Sequence, residues 1–101
     1  MKPECAFLYV DAGCDPTKEI ARIEGGSLNM NVIGVANYQQ AEEAAKKLVA
    51  KGCTAIELCA GFGNEGIARV QRAVGPGIAV GAVKFDFHPD LAFKSGDEVF
   101  G

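Results

Sequence analysis

The run Ala6-Phe7-Leu8-Tyr9-Val10 is apolar without a break and rich in aromatic and β-branched side chains. Closed by Asp11-Ala12-Gly13, it predicts a short strand buried on both faces, as parallel sheets use. Asp15-Pro16 then spells a helix start. Ile20 and Ile23 stand three apart, so the spacing predicts a short helix over 16–24, ended by Gly25-Gly26. Leu28 to Val35 alternates apolar and polar, then turns apolar throughout, and reads as the second strand.

The clearest helical pattern follows. Ala41, Ala44, Ala45, Leu48 and Val49 recur at three- and four-residue steps, which predicts a helix from Tyr38 to Lys51. Asn37 is placed to cap it, with Gln40 three residues on, and Gly52 ends it. Cys53–Cys59 is the third strand and Ala60-Gly61-Phe62-Gly63 a glycine-rich turn. Asn64 is the expected cap of a helix over Glu65–Val74, with Ile67, Val70 and Val74 inward. After the stop at Gly75-Pro76-Gly77, Ile78–Phe87 reads as the fourth strand. The tail from His88 to Gly101 is polar but carries Leu91, Phe93, Val99 and Phe100, so it is expected to pack on its own subunit or a neighbour.

The order β-α-β-α-β-α-β predicts an α/β fold with a mostly parallel sheet in a single domain over 1–101. An open sheet and half of an eight-stranded barrel fit this order equally. With 101 residues, 49% of them hydrophobic, there is material for one modest core. A core of that size gains from a partner subunit, and a homodimer or larger homo-oligomer is expected.

A net charge of -3, with no basic stripe, argues against nucleic acid. No apolar run approaches the roughly 20 residues that span a bilayer, and no signal-peptide pattern opens the chain, so a cytoplasmic location without membrane contact is expected. The four cysteines form no C-x-x-C pair and have no neighbouring histidine, which predicts free thiols and no metal. No cofactor is expected.

Ligands of parallel α/β folds bind outside the carboxyl ends of the strands. That rule selects Asp11, Asn37, Glu57, Cys59, Lys84, Asp86 and His88. Gly61, Phe62, Gly63 and Asn64 lead into a helix N-terminus, where close backbone approach and free N–H groups suit a phosphate or carboxylate. Gly61, Gly63 and Gly66 match the letters G-x-G-x-x-G, without the first βα position or the acidic residue a dinucleotide site needs. Lys84, Asp86 and His88 would share one face of the fourth strand by alternation. A Glu57–Lys84 pair would leave Asp86 and His88 at the rim for proton transfer.

The stretches Ile56–Gly66, Gly81–Pro89 and Lys94–Phe100 together resemble a family of small bacterial proteins that carries only a domain-of-unknown-function label. The resemblance spans nearly the whole chain and implies a shared fold without an activity. Locally, Glu57 and Lys84-Phe85-Asp86-Phe87 are similar to the Glu and Schiff-base Lys of keto-acid class I aldolases, although the chain is half the length those enzymes need. Three functions therefore stand. The first is a binding module for a small anion. The second is an enzyme using Glu57, Lys84, Asp86 and His88 in acid–base or Schiff-base chemistry. The third is an interaction protein without a pocket.

Overall fold

The computed structural model describes residues 2–101. Five strands, β1 (Glu4–Val10), β2 (Ile20–Glu24), β3 (Asn29–Val35), β4 (Cys53–Leu58) and β5 (Ala79–Ala82), form one sheet in the order β2-β3-β1-β4-β5. β1 runs parallel to β3 and β4, and β4 to β5, while β2 is antiparallel to β3. Helices α1 (Tyr38–Ala50) and α2 (Asn64–Val74) make the crossovers. A 3-10 turn at Pro89–Leu91 and a short helix α3 (Gly96–Phe100) follow. The result is an open, mostly parallel α/β sheet and not half a barrel.

The α1 start is as its letters predict. Asn37 Oδ1 accepts the Gln40 N–H at 2.9 Å, and Gln40 Oε1 accepts the Ala36 N–H at 2.8 Å. The other end closes at Gly52, whose φ of 105° is a conformation that favours glycine. Arg69 of α2 reaches Glu42 of α1 at 3.0 Å and ties the two helices together.

The helix expected over 16–24 does not form; β2 occupies its second half. Asp15-Pro16 governs a single turn, in which Asp15 Oδ1 accepts the Thr17 N–H at 2.9 Å. Beyond that turn, β3 offers a full ladder, pairing Ile20 with Ile33 and Ile23 with Met30. Arg22 then locks the strand by donating to both Glu4 carboxylate oxygens, at 2.6 and 3.0 Å, and to Asn31. A three-residue apolar spacing suits a helix only when nothing better is on offer to the backbone.

The fourth strand is also shorter than expected. It pairs with β4 from Ala79 to Ala82 and then leaves the sheet, because β4 itself ends at Leu58. Residues 83–87 are exposed and belong to no strand, so alternation assigns Lys84, Asp86 and His88 no common face.

The core lies on one side of the sheet. Ala6, Leu8 and Val10 of β1 and Ile56 and Leu58 of β4 pack with Val35, α1, Phe62, Val70 and Phe100. Full burial of a Leu or Ile side chain contributes roughly 1.5–3 kcal/mol. The alternate residues Cys5, Phe7 and Tyr9 stay partly exposed, which corrects the reading of β1 as buried on both faces. Chain direction explains the asymmetry. From β3 over β1 to β4, and from β4 to β5, the chain moves the same way across the sheet, so crossovers of one hand put α1 and α2 on one face. The step from β1 to β3 goes the other way, and a helix there would cover the opposite face. The chain places β2 there instead.

Candidate functional site

The chain leaves β1 in one direction and the adjacent β4 in the other. Between their carboxyl ends lies the crevice where ligands settle in doubly wound sheets. A cavity of about 460 Å³ opens there. Asp11 and Ala12 enter it from the end of β1, Cys59 and Gly61 from the end of β4. The tail supplies His88 and Asp90, with Leu91, Val99 and Phe100 as apolar wall.

Local hydrogen bonds set these groups. Cys59 Sγ accepts the N–H of Val10 and of Gly61, each at 3.4 Å, so the sulfur is held across the gap between β1 and β4. Asp11 Oδ1 caps its own turn by accepting the Gly13 N–H at 3.0 Å. His88 Nδ1 accepts the Asp90 N–H at 3.1 Å, which leaves Nε2 to carry the proton of the neutral ring. The His88 backbone bridges to Lys94, and its ring packs 5.2 Å from that of Phe85.

Beside the cavity, the glycine turn meets the tail. Asp97 accepts the N–H of Glu65 at 3.0 Å and of Gly66 at 3.1 Å, and the Tyr38 hydroxyl at 2.8 Å. Tyr38 in turn accepts the Gly63 N–H at 2.9 Å. The anion expected at the α2 N-terminus is thus the chain's own carboxylate. Asn64 is the first residue of α2, not its cap; Gly63 holds the cap position with no side chain to offer. A Cβ on Gly63 would lie 2.5 Å from the Asp97 carboxyl, and one on Gly66 2.4 Å from the Tyr38 ring. Close approach of Asp97 and Tyr38 accounts for Gly63 and Gly66, while Gly61 lies against Val10 and Cys59. Ser95 and Glu98 complete the joint as a capping box on α3.

Partial burial pushes the Asp97 carboxyl up, but the donors from Glu65, Tyr38 and Gly66, with the Lys84 charge, together outweigh it and hold it below its ordinary value. Burial also drives the Tyr38 hydroxyl well above its usual range, against the Gly63 N–H and with the Asp97 carboxylate adding to the rise. The pair is a neutral phenol donating to a carboxylate.

Of the residues singled out from sequence, Asp11, Cys59, Gly61 and His88 share the cavity. Phe62 is fully buried and stacks on Tyr38 at 5.6 Å, a core role. Glu57 is exposed on the helix-free face, in register with Phe7 and Gly81. The expected Glu57–Lys84 pair does not form. Lys84 binds Asp86, and Glu57 makes no ion pair among the described residues. The aldolase-like pairing loses its geometry with it. Tyr38 and Asp97 stand outside the strand-end rule; the spelling Ser95-x-x-Glu98 is the local sign that the tail forms a capped structure. No group of three or more potential metal ligands occurs among the described residues.

A second cavity, about 400 Å³, lies between α1 and β2 over Ile20, Ile33, Ala44 and Leu48. It is the gap that α1 leaves above the edge strand β2.

The family comparison matches residues 3–98 to one family model. The chain belongs to DUF6506, a family of unknown function. Both joined motifs, Gly61–Gly66 and Lys94–Glu98, fall inside the matched span. Neither the curated proteins nor the solved structures hold a match to the chain. No helix among the described residues is long and apolar enough to cross a membrane.

Proposed function

We propose that this chain is a small-molecule-binding module whose ligand sits in the cleft at the carboxyl ends of β1 and β4. The observation that carries the reading is convergence: Asp11, Cys59, His88 and Asp90 come from three separate segments to line one cavity at the reversal of strand order. The ligand class follows from the charges. Two carboxylates and a histidine in a partly apolar cleft suit an amine or a hydroxyl-rich molecule. A phosphate or carboxylate fits poorly, since Asp97 already takes the α2 N–H donors. The anionic ligand anticipated from the glycine turn is replaced on that ground. An enzymatic role built on Glu57 and Lys84 has no support, because the two do not pair.

We place this activity in the cytoplasm, a reading that the four free cysteines support. We also propose that the chain works as a homo-oligomer.

An amide NMR titration with amines, polyols and inorganic phosphate tests the ligand reading. An amine or polyol is expected to shift the resonances of Asp11, Cys59, Gly61 and His88. Shifts confined to other surfaces, or a phosphate response at Glu65 and Gly66, would overturn it, as would silence from every compound at millimolar concentration.

A further inference from the structure

The helix-free face of the sheet is unusually apolar for a surface. In register across the five strands, one row reads Ile23, Met30, Cys5, Ala55, Ala79. The next reads Ala21, Val32, Phe7, Glu57, Gly81. A sheet face left to solvent alternates to polar side chains; these two rows carry a single charge, Glu57, displaced toward the β5 edge, and Glu19 adds another only at the end beside Tyr9. The loop over 11–19 covers only one end, where the Tyr9 hydroxyl donates to Glu19 at 3.2 Å. Ile23 is 59% exposed. From the same β5 edge runs a second uncovered surface, the segment 83–93. Val83, Phe85, Phe87 and Phe93 are 66, 42, 56 and 67% exposed. The rings of Phe87 and Phe93 pair 6.0 Å apart and form an apolar knob.

We infer that a second copy of this chain covers the helix-free face, with the 83–93 segment of each copy closing over the edge of the other. Area favours this occupant. Five strands about 4.8 Å apart and about five residues long give a face of roughly 400 Å². The four side chains of the segment, at about 100 Å² each, double it to roughly 800 Å², one partner's share of a standard stable interface. Self-complementarity favours it too. A twofold axis lets a face and a segment that both lack cover meet their counterparts at once, in one isologous contact. The inference goes beyond the ligand reading, and the two share the 83–93 segment, which carries His88, Asp90 and Leu91 of the cleft wall.

Sedimentation equilibrium on the full chain tests it. A dimer is expected at micromolar concentration. Ile23→Asp, on an exposed edge strand, and Phe87→Ser, outside any strand, are each expected to raise the dimer dissociation constant at least ~30-fold while circular dichroism stays unchanged. A monomeric wild-type chain would overturn the inference, and so would a dimer that neither substitution weakens. The amide titration of the cleft, repeated on Ile23→Asp, keeps the two readings separate: ligand shifts there are expected to survive loss of the dimer.

Discussion

Tyr38 and Asp97, 59 positions apart, share a 2.8 Å hydrogen bond at the start of α2. The phenol lies in the core, between Phe62 and Phe100, and the carboxylate lies on the helix terminus. One contact therefore joins the hydrophobic interior, the α2 backbone and the tail.

Asp97→Ala removes a charged cap and strands the Tyr38 hydroxyl. The cap is worth about 1 kcal/mol and the orphaned buried donor about 1–3 kcal/mol. A loss of roughly 2–4 kcal/mol is expected in urea denaturation. A loss under about 0.5 kcal/mol would show that water replaces the carboxylate at no cost.

Tyr38→Phe keeps the ring and its stacking on Phe62 while leaving the buried Gly63 N–H unpaired. A loss of about 1–3 kcal/mol is expected, smaller than for Asp97→Ala because α2 keeps its carboxylate. Equal losses would mean that the phenol, not the cap, dominates the joint.

Gly66→Ala would ordinarily strengthen a helix by about 1 kcal/mol. Here the new methyl meets the Tyr38 ring at 2.4 Å, and the ring is held on three sides. Overpacking of this kind costs about 1–3 kcal/mol, so the melting temperature should fall. A rise would contradict the close approach.

Acid should undo two anchors. The Arg22, Asn31 and Asn29 donors, against slight desolvation, hold the Glu4 carboxyl at about 2, down from 4.5. Asp97 is also lowered. A carboxyl depressed in the folded state contributes its stability above the unfolded value and loses it as protons bind. Stability should thus be flat above pH 5 and fall from about pH 4.5 toward pH 2. Glu4→Gln should flatten that fall in acid titrations of urea midpoints; an unchanged slope would remove Glu4 from the account.

Burial, with the Glu19 carboxylate second, pushes the Cys14 thiol up to about 11. At pH 8 it should alkylate far more slowly than a free thiol in the urea-unfolded chain, read by mass spectrometry of peptides. Equal rates would place Cys14 outside the packed loop.

What the sequence made legible was local. The α1 caps, the β1, β3 and β4 runs and the glycine stops are each decided within a few neighbours, and they appear where the letters put them. β2 was illegible because Ile20 and Ile23 stand three apart, a helical spacing, and as a strand they fall on opposite faces; the choice rests with β3 and Glu4. The end of β5 was illegible because alternation continues through Lys84 and Asp86 after the partner strand has stopped. The strand-end rule found Asp11 and Cys59 at the ends of β1 and β4, whereas His88 reaches the cavity from the tail, six residues past the end of β5. Asp97 was illegible, since nothing in its surroundings announces a helix terminus 32 residues earlier.

That separation sets a timetable for synthesis. At about 5–20 residues per second, Asp97 emerges roughly 2–6 s after the α2 terminus that needs it. For that interval the nascent chain holds the stacked Tyr38–Phe62 pair without the lid that Phe100 and Asp97 provide. Chaperone contact with the growing chain should concentrate in that window and end once α3 docks.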